Sequence, residues 1–361
     1  MSLVFDEFDE MKQSGAQDCK CPTCGAQMEF SPERQTLFCP HCRNEEKVEF
    51  SSDVTERDFS ELTAKHNNWD KTVKAIRCEN CGAQQVLEKR EIATRCPFCG
   101  SNNILEQREI NSVKPDTVIP FKIDKENAIQ KCLKWVKSRL FSPGHFKKNV
   151  SLDTVAGTYN PVWTFDSFTR TTYNGVLGRT VTRTVVVNGK TETRTEIQWF
   201  PVSGTIDCNF DDLYVPGSER ITEKVMNKLK PYDQKLYVKY NNDLLAGFVA
   251  TNYTLEPLDA WKKAEARMNA HIRQLIINRH NADRVQWLNM SVNHMKKSFK
   301  YLMLPVYVAA TTFKQKLYNL YINGVHGKVY GKVPVSAPKV SIAVLLGLLV
   351  VGGIIALIAL L

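Results

Sequence analysis

The spacing of apolar and polar positions divides this chain into stretches of different period. From about Thr154 to Phe210, β-branched and polar residues alternate at every second position, as in Arg179 to Val187 and Thr191 to Trp199. A period of two is that of a half-buried strand, and Asn188-Gly189 between the two runs is a two-residue hairpin turn signal. The pattern predicts a long polar hairpin whose tip is too weakly apolar for a core. It reads as an exposed projection, or as an edge to which a partner strand adds.

On either side the period lengthens. Asp124 is placed to cap a helix running to about Phe141, with Ala128, Ile129, Cys132, Leu133 and Val136 on one side and Ser142-Pro-Gly at its end. A second helix is expected near Ser218 to Leu229. A third covers roughly Leu255 to Asn278, where Trp261, Ala264, Met268, His271 and Ile272 recur at helical spacing behind a Thr254 cap. Val113 to Ile123 and Lys235 to Tyr240 read as strands, and a short helix is expected around Asp58 to His66. Val285 to Val333 reads as a strand meander whose last hairpin turns at Asn323-Gly324. Helices and strands come in blocks and do not alternate, which predicts an α+β domain of helices and antiparallel strands over residues 111–335.

The last stretch has no polar face at all. Val340 to Leu361 is 22 uncharged residues, and at about 1.5 Å per residue a helix of that length spans roughly 33 Å, enough to cross a bilayer core. Lys328, Lys332 and Lys339 flank its N-terminal side. The positive-inside rule then predicts a single-pass tail anchor in an inner or plasma membrane, residues 340–361, with the bulk of the chain cytoplasmic.

Cysteine spacing changes the picture at the other end. Cys21-x2-Cys24 is followed after fourteen residues by Cys39-x2-Cys42, and Cys78-x2-Cys81 after fourteen residues by Cys96-x2-Cys99. The four pairs read CPTCGA, CPHC, CENCGA and CPFCG, with Gly25, Gly82 and Gly100 after a cysteine, where a turn of positive φ is usual. A tight knuckle aims two thiolates at one ion and a second knuckle completes a tetrahedron, so the pattern predicts two zinc ribbons, residues 19–47 and 77–110. Each holds one structural Zn2+, because four thiolates leave no open position at which water could be activated. Disulfides are disfavoured because the chain opens MSLVFDEFDE, with no signal peptide. Each cluster is complete within a short stretch, which favours independent ribbons over a cross-braced pair. Cys19 reads as a surface thiol, although an alternate ligand is open to it, and Cys132 and Cys208 as packed residues. Residues 1–18 form an N-terminal tail and 48–76 a polar linker.

Charge is divided unevenly along the chain. Residues 1–110 hold 14 Lys and Arg against 20 Asp and Glu, net −6, leaving 34 against 18, net +16, for residues 111–361. Each four-thiolate zinc site adds about two more negative charges, so the ribbons are poor grips for nucleic acid. The basic remainder precedes the apolar tail and suits an anionic leaflet. No Walker loop, G-x-G-x-x-G, H-E-x-x-H, G-x-S-x-G or kinase signature is present. No catalytic residue is therefore assigned, and the chain is expected not to be an enzyme.

Several segments carry a resemblance. They are TYNPVWTFD (158–166), FDDLYVPGS (210–218), KPYD (230–233), LLAGFVATNYTL (244–255), LMLPVYVA (302–309) and YINGVHGKVYGKVPVSAPK (321–339). With ribbons ahead and an apolar segment behind, the chain resembles a bacterial family of membrane-anchored proteins with TFIIB-type zinc ribbons. These are often labelled primosomal-helicase-like, a name no helicase motif here supports. Some are encoded beside PspA-like and SPFH or virion-core-like membrane-stress proteins. The resemblance implies a scaffold or adaptor that recruits or positions such membrane-associated partners. The ribbons are then expected to dock a partner and the α+β domain to supply a second interface, and no small-molecule substrate is inferred. The alternative is a membrane-tethered nucleic-acid-binding accessory factor for replication or transcription, using the ribbons or the basic domain; the acidity of the ribbon half makes it the weaker reading.

Overall fold

The structure, a computed structural model of the chain, describes residues 19–63, 74–81, 83–87, 96–99, 101, 104–107, 113–149, 155–187, 190–230 and 232–360. The N-terminal tail, linker residues 64–73, Gly82, Gly100 and the Asn188-Gly189 turn lie outside the described residues.

The described residues begin with three short strands, β1 (Glu29–Ser31), β2 (Thr36–Phe38) and β3 (Glu45–Lys47), then β4 (Arg57–Asp58) and a 3-10 turn at Phe59–Thr63. β5 (Lys74–Cys78), β6 (Gln84–Leu87), β7 (Ile104–Gln107) and β8 (Thr117–Val118) follow, and then helices α1 (Lys125–Lys137) and α2 (Gly144–Asn149). Two long strands come next, β9 (Ala156–Val187) and β10 (Lys190–Pro216), then α3 (Glu223–Leu229), β11 (Val238–Lys239) and β12 (Val249–Thr251). The chain closes with α4 (Pro257–Arg279), β13 (Arg284–Phe313), β14 (Lys316–Asn323), β15 (Val329–Gly331) and α5 (Ala337–Leu360). The architecture is α+β with mainly antiparallel pairing.

β1 to β3 make a small sheet of their own. The large sheet runs β11-β8-β13-β9-β12-β6-β5-β7, with β10 beside β9, β4 and β14 beside β13, and β15 beside β14. Its spine is β13, which pairs with β9 from Arg284↔Gly178 to Val308↔Ala156. Along the spine the burial pattern switches. Residues 299–311 are all buried, whereas residues 284–294 largely alternate between exposed and half-buried. Both faces of the sheet are covered in the first case and one in the second. At the covered end, Phe299, Tyr301, Met303 and Tyr307 join α1 and α4 in one core, and Leu302, Leu304, Val306 and Val308 join α3 in another. At the other end, Ile272 and Ile276 of α4 cover Tyr173, Leu177 and Val202 on one face only. The sheet there is a blade of β10, β9 and β13.

Several expectations need correction. The meander expected over 285–333 begins with one 30-residue strand, and its first turn is Lys314-Gln315, at φ 49° and 62°. Both angles are those of a type I′ turn, normally signalled by Asn or Gly, so the turn left no mark in the sequence. The loop of the last hairpin is five residues, 324–328, where Asn323 Oδ1 accepts from the backbone N–H of Val325 and His326. Of the strand expected over 113–123, only Thr117–Val118 forms a strand, wedged between β13 and β11. The α4 cap is not Thr254; the helix starts on Pro257, which fits the first helical position, behind a Glu256 that makes no side-chain cap. The expected α1 cap is present, Asp124 Oδ1 accepting from Asn127 N at 2.6 Å.

The linker is also corrected in its described part. β4 pairs with β13 at Ser298↔Asp58, Leu62 is buried, and Phe59 meets Trp261 of α4 edge-to-face at 4.7 Å. Residues 51–63 are a strap bound to the large domain.

Candidate metal centres

The four described cysteine knuckles share one backbone device, in which the first cysteine donates its N–H to the carbonyl five residues on. The pairs are Cys21 to Ala26, Cys39 to Asn44, Cys78 to Ala83 and Cys96 to Ser101, at 2.8 to 2.9 Å. Gly25 takes the expected positive φ, 72°, while Arg43 takes the equivalent place in the second knuckle at 65°. Within each set, Cys21/Cys24/Cys39/Cys42 and Cys78/Cys81/Cys96/Cys99, the sulfurs all lie within 4.8 Å of one another. The nearest pairs are Cys21–Cys42 at 3.3 Å, Cys24–Cys39 at 3.6 Å, and Cys78–Cys99 and Cys81–Cys96 at 3.5 Å. A tetrahedron with metal–sulfur bonds of about 2.3 Å has edges of roughly 3.8 Å. Each set therefore fits one metal ion after a small expansion, with no exchange of knuckles between the sets.

The thiols are already unequal. Burial opposes ionisation of Cys21, but the Cys42 thiol and the amides of Cys24 and Thr23 outweigh it and hold Cys21 at about 6. The Cys42 amide is the main group holding Cys39 down. Cys42 is pushed up to about 12, since Cys21 and burial outweigh the Asn44 amide. In the second set burial drives Cys81 up to about 11 and raises Cys96 as well. Sulfurs this close cannot all be thiolates without a cation between them.

The two clusters sit on opposite faces of the large sheet. Met28, Phe30 and Leu37 around the first belong to the core containing Phe121, Tyr159 and Tyr307, and Phe98 beside the second belongs to the core containing Val162, Leu302 and Leu229. The second is also hydrogen-bonded into the sheet, because β6 pairs with β12 at Val86↔Ala250. The first docks mainly by packing, with Phe30 N donating to Ala246 O at 3.0 Å and Gln35 Nε2 to Phe121 O at 2.7 Å. A cleft beside it is lined by Glu29, Phe30, Phe38, Asp124, Phe248 and Tyr307. Cys19 is neither a surface thiol nor a member of the set; it is buried, and its thiol donates to Asp243 Oδ1 at 3.5 Å.

The basic residues expected beside the apolar helix do not form one group. Lys339 Nζ donates to Ser142 O at 2.8 Å, Lys328 Nζ to Lys230 O at 2.8 Å, and Lys332 is exposed. The apolar helix itself starts three residues earlier than expected, and Ala337–Ile355 is long and apolar enough to span a membrane, with none of it buried against the domain.

One group of charges left no sequence signal beyond the acidic pair in FDDLYVPGS. Lys300, 7% exposed at its side chain, places Nζ 2.9 Å from Glu56 Oε1 and 2.9 Å from Asp212 Oδ1. Asp166 accepts from Asp212 N at 2.5 Å and from Ser298 Oγ at 3.1 Å. The group forms where irregularities of register in both strand pairs coincide, between Phe210 and Leu213 and between Met295 and Ser298. Burial drives Asp166 up to about 7, helped by Glu56 and Asp212 and opposed by the Asp212 amide and Lys300. Carboxylates of Glu56, Asp166 and Asp211 lie within reach of one ion, but the Lys300 ammonium already supplies a cation there. A second polar chain, Ser167 Oγ to His294 Nδ1 at 3.1 Å with Glu265 at 3.8 Å from Nε2, has the order of a nucleophile–base–acid set. Ser167 is 1% exposed, so no substrate reaches its hydroxyl, and the chain ties α4 to the sheet.

No family model matches the chain, and no solved structure matches it. Over 333 residues the chain is 28% identical to the uncharacterized protein YdjG of Bacillus subtilis (strain 168), a similarity that covers 89% of this chain and 91% of that protein.

Proposed function

We propose that this protein is a non-enzymatic, tail-anchored scaffold of the cytoplasmic face of a bacterial membrane. In this reading α5 is the anchor, each four-cysteine cluster is a ribbon closed around a structural zinc ion, and the blade receives partner proteins. Four thiolates suit zinc in softness and tetrahedral geometry, and around a zinc ion they leave no position for catalysis.

The observation that carries the reading is on the blade. Beyond β9, the outer edge of β10 pairs with no strand among the described residues. Ile197 and Trp199 of β10 are 43% and 45% exposed, and Trp287 of β13 is 44% exposed. Trp199 lies opposite Gly178 and Trp287 opposite Val176, so the three share one face near the free end of the blade. An open edge beside clustered aromatics is a surface for strand addition by another protein. The resemblance to membrane-anchored ribbon proteins suggests PspA-like or SPFH-like membrane proteins as the partners.

The test is affinity purification from detergent-solubilised membranes after nuclease treatment, comparing the full chain with an Ile197→Ser, Trp199→Ser variant. Specific membrane proteins should accompany the full chain and fall at least tenfold with the variant. Recovery of no specific protein would sink the reading. The net +16 of residues 111–361 favours a second reading, a membrane-tethered nucleic-acid-binding factor, and partners lost on nuclease treatment would select it.

A further inference from the structure

The turn between α1 and α2 stands beside the root of α5. Ser336 N donates to Phe141 O at 2.8 Å, and Lys339 Nζ donates to Ser142 O at 2.8 Å and approaches Leu140 O at 3.5 Å. These bonds set Leu140 and Phe141 level with the residues that lead into the apolar helix. Their side chains point away from the core: Leu140 is 79% exposed and Phe141 45%, and Val335 beside them is 65% exposed. Their neighbour Phe146 is buried against Phe313, so the α1–α2 segment is packed in place while two of its largest apolar side chains are left outside.

The charge around this point is one-sided. Residues 131–148 contain six Lys and Arg and no Asp or Glu. Lys134, Lys137, Arg139 and Lys148 are exposed, Lys147 Nζ bonds Lys137 O at 2.8 Å, and the Arg139 guanidinium lies 4.4 Å from the Trp135 ring. An apolar tip ringed by cations, with an aromatic at the margin, suits the boundary between acyl chains and anionic headgroups. The apolar pair would enter the boundary while the flanking cations meet phosphate.

We propose that the α1–α2 turn is a second membrane contact, a foot in which Leu140 and Phe141 dip into an anionic leaflet while the surrounding Lys and Arg bind its headgroups. It rests on the reading of α5 as a membrane anchor and adds to it. A single helix behind a short linker lets the attached domain swivel, whereas a helix and a foot side by side fix its tilt. The foot thus sets the direction in which the blade points from the membrane.

The experiment uses the full chain in lipid nanodiscs of phosphatidylcholine alone or with added phosphatidylglycerol. A photoreactive diazirine amino acid replaces Leu140, Val350 within α5, or Asn209 on the exposed blade, and lipid adducts are quantified by mass spectrometry. Adducts are expected at 350 and 140 and not at 209. Those at 140 should rise about fivefold with phosphatidylglycerol, the effect of one well-placed cation near an anionic surface. The rise should vanish when Lys134, Lys137, Arg139, Lys147 and Lys148 are replaced by Gln. Adducts at 350 with none at 140 would overturn the foot and leave the anchor standing. No adducts at 350 would overturn the anchor, and the foot with it. Equal adducts at 140 in both lipids would overturn the anionic preference.

Discussion

The two cysteine clusters have the same spacing and the same knuckle hydrogen bonds, yet they are built into the protein differently. The first stands on its own three-stranded sheet and is held to the domain mainly by Phe30, Leu37 and Met28. The second has its strands in the large sheet, paired with β12 and through it with β9. Identical local chemistry therefore serves two mechanical roles. One cluster is a module docked on a face, and the other is part of the framework. A ligand lost from the first should release a piece of surface, and one lost from the second should expose the edge of β12.

That contrast can be broken at the metal ligands. Cys96→Ser and Cys39→Ser should each lower bound metal by one equivalent per chain, read by elemental analysis of protein in detergent. Their effects on stability should differ. Structural zinc supplies roughly 10 kcal/mol of folding energy in isolated fingers, and Cys96→Ser should cost the large domain several kcal/mol of it by removing the order of β5 to β7. Cys39→Ser should leave the main thermal transition nearly in place while the first module alone becomes protease-sensitive. Equal shifts in the main transition would remove the distinction.

The strap between the clusters offers a smaller effect. Lys300→Met removes the cation shared by the exposed Glu56 and the buried Asp212, and stranding the buried Asp212 carboxylate costs about 3 kcal/mol or more. Unfolding in detergent should show that loss, and hydrogen exchange should quicken at residues 51–63, where the strap is held. Unchanged exchange there would mean that packing of Phe59 and Leu62 alone secures it.

The smallest effect should come from Asp166. Its folded pKa of about 7 lies above the ordinary carboxylate value because of burial. Its contribution to stability is therefore fully present below about pH 4 and lost as pH rises through about 7. Asp166→Asn should gain stability relative to the natural protein over that window, by about 1–2 kcal/mol after allowance for solvent screening. A pH-independent difference would show that Asp166 is ionised throughout.

How much of this was legible before the structure depends on the range of the interaction. The eight cysteines could be grouped into two sets because each set closes within 22 residues and its knuckles are made by local hydrogen bonds. The α1 cap was readable because Asp124 and its partner are three residues apart. The long hairpin was readable from its period of two, and its tip reads as too weakly apolar for a core, but that period does not mark its base as core. Tyr159, Trp163 and Phe165 there are fully buried, because Phe121, Phe248, Tyr253 and, from α4, Trp261, all distant in the chain, pack over their face. Lys300 and Glu56 meet across 244 residues, and Cys19 and Asp243 across 224. No spacing rule reaches that far.

The sequence by itself determined the local chemistry: which thiols are placed to share an ion, which segment is apolar enough for a bilayer, and where strands alternate. Those properties follow from covalent spacing and side-chain type within one or two turns of chain. Only the tertiary structure decided that one cluster belongs to the framework and the other is docked, that the supposed linker is a strap, and that Leu140 and Phe141 stand beside the root of α5. Each of these depends on which distant strand or helix covers a given face, and that is settled by the packing of the whole sheet.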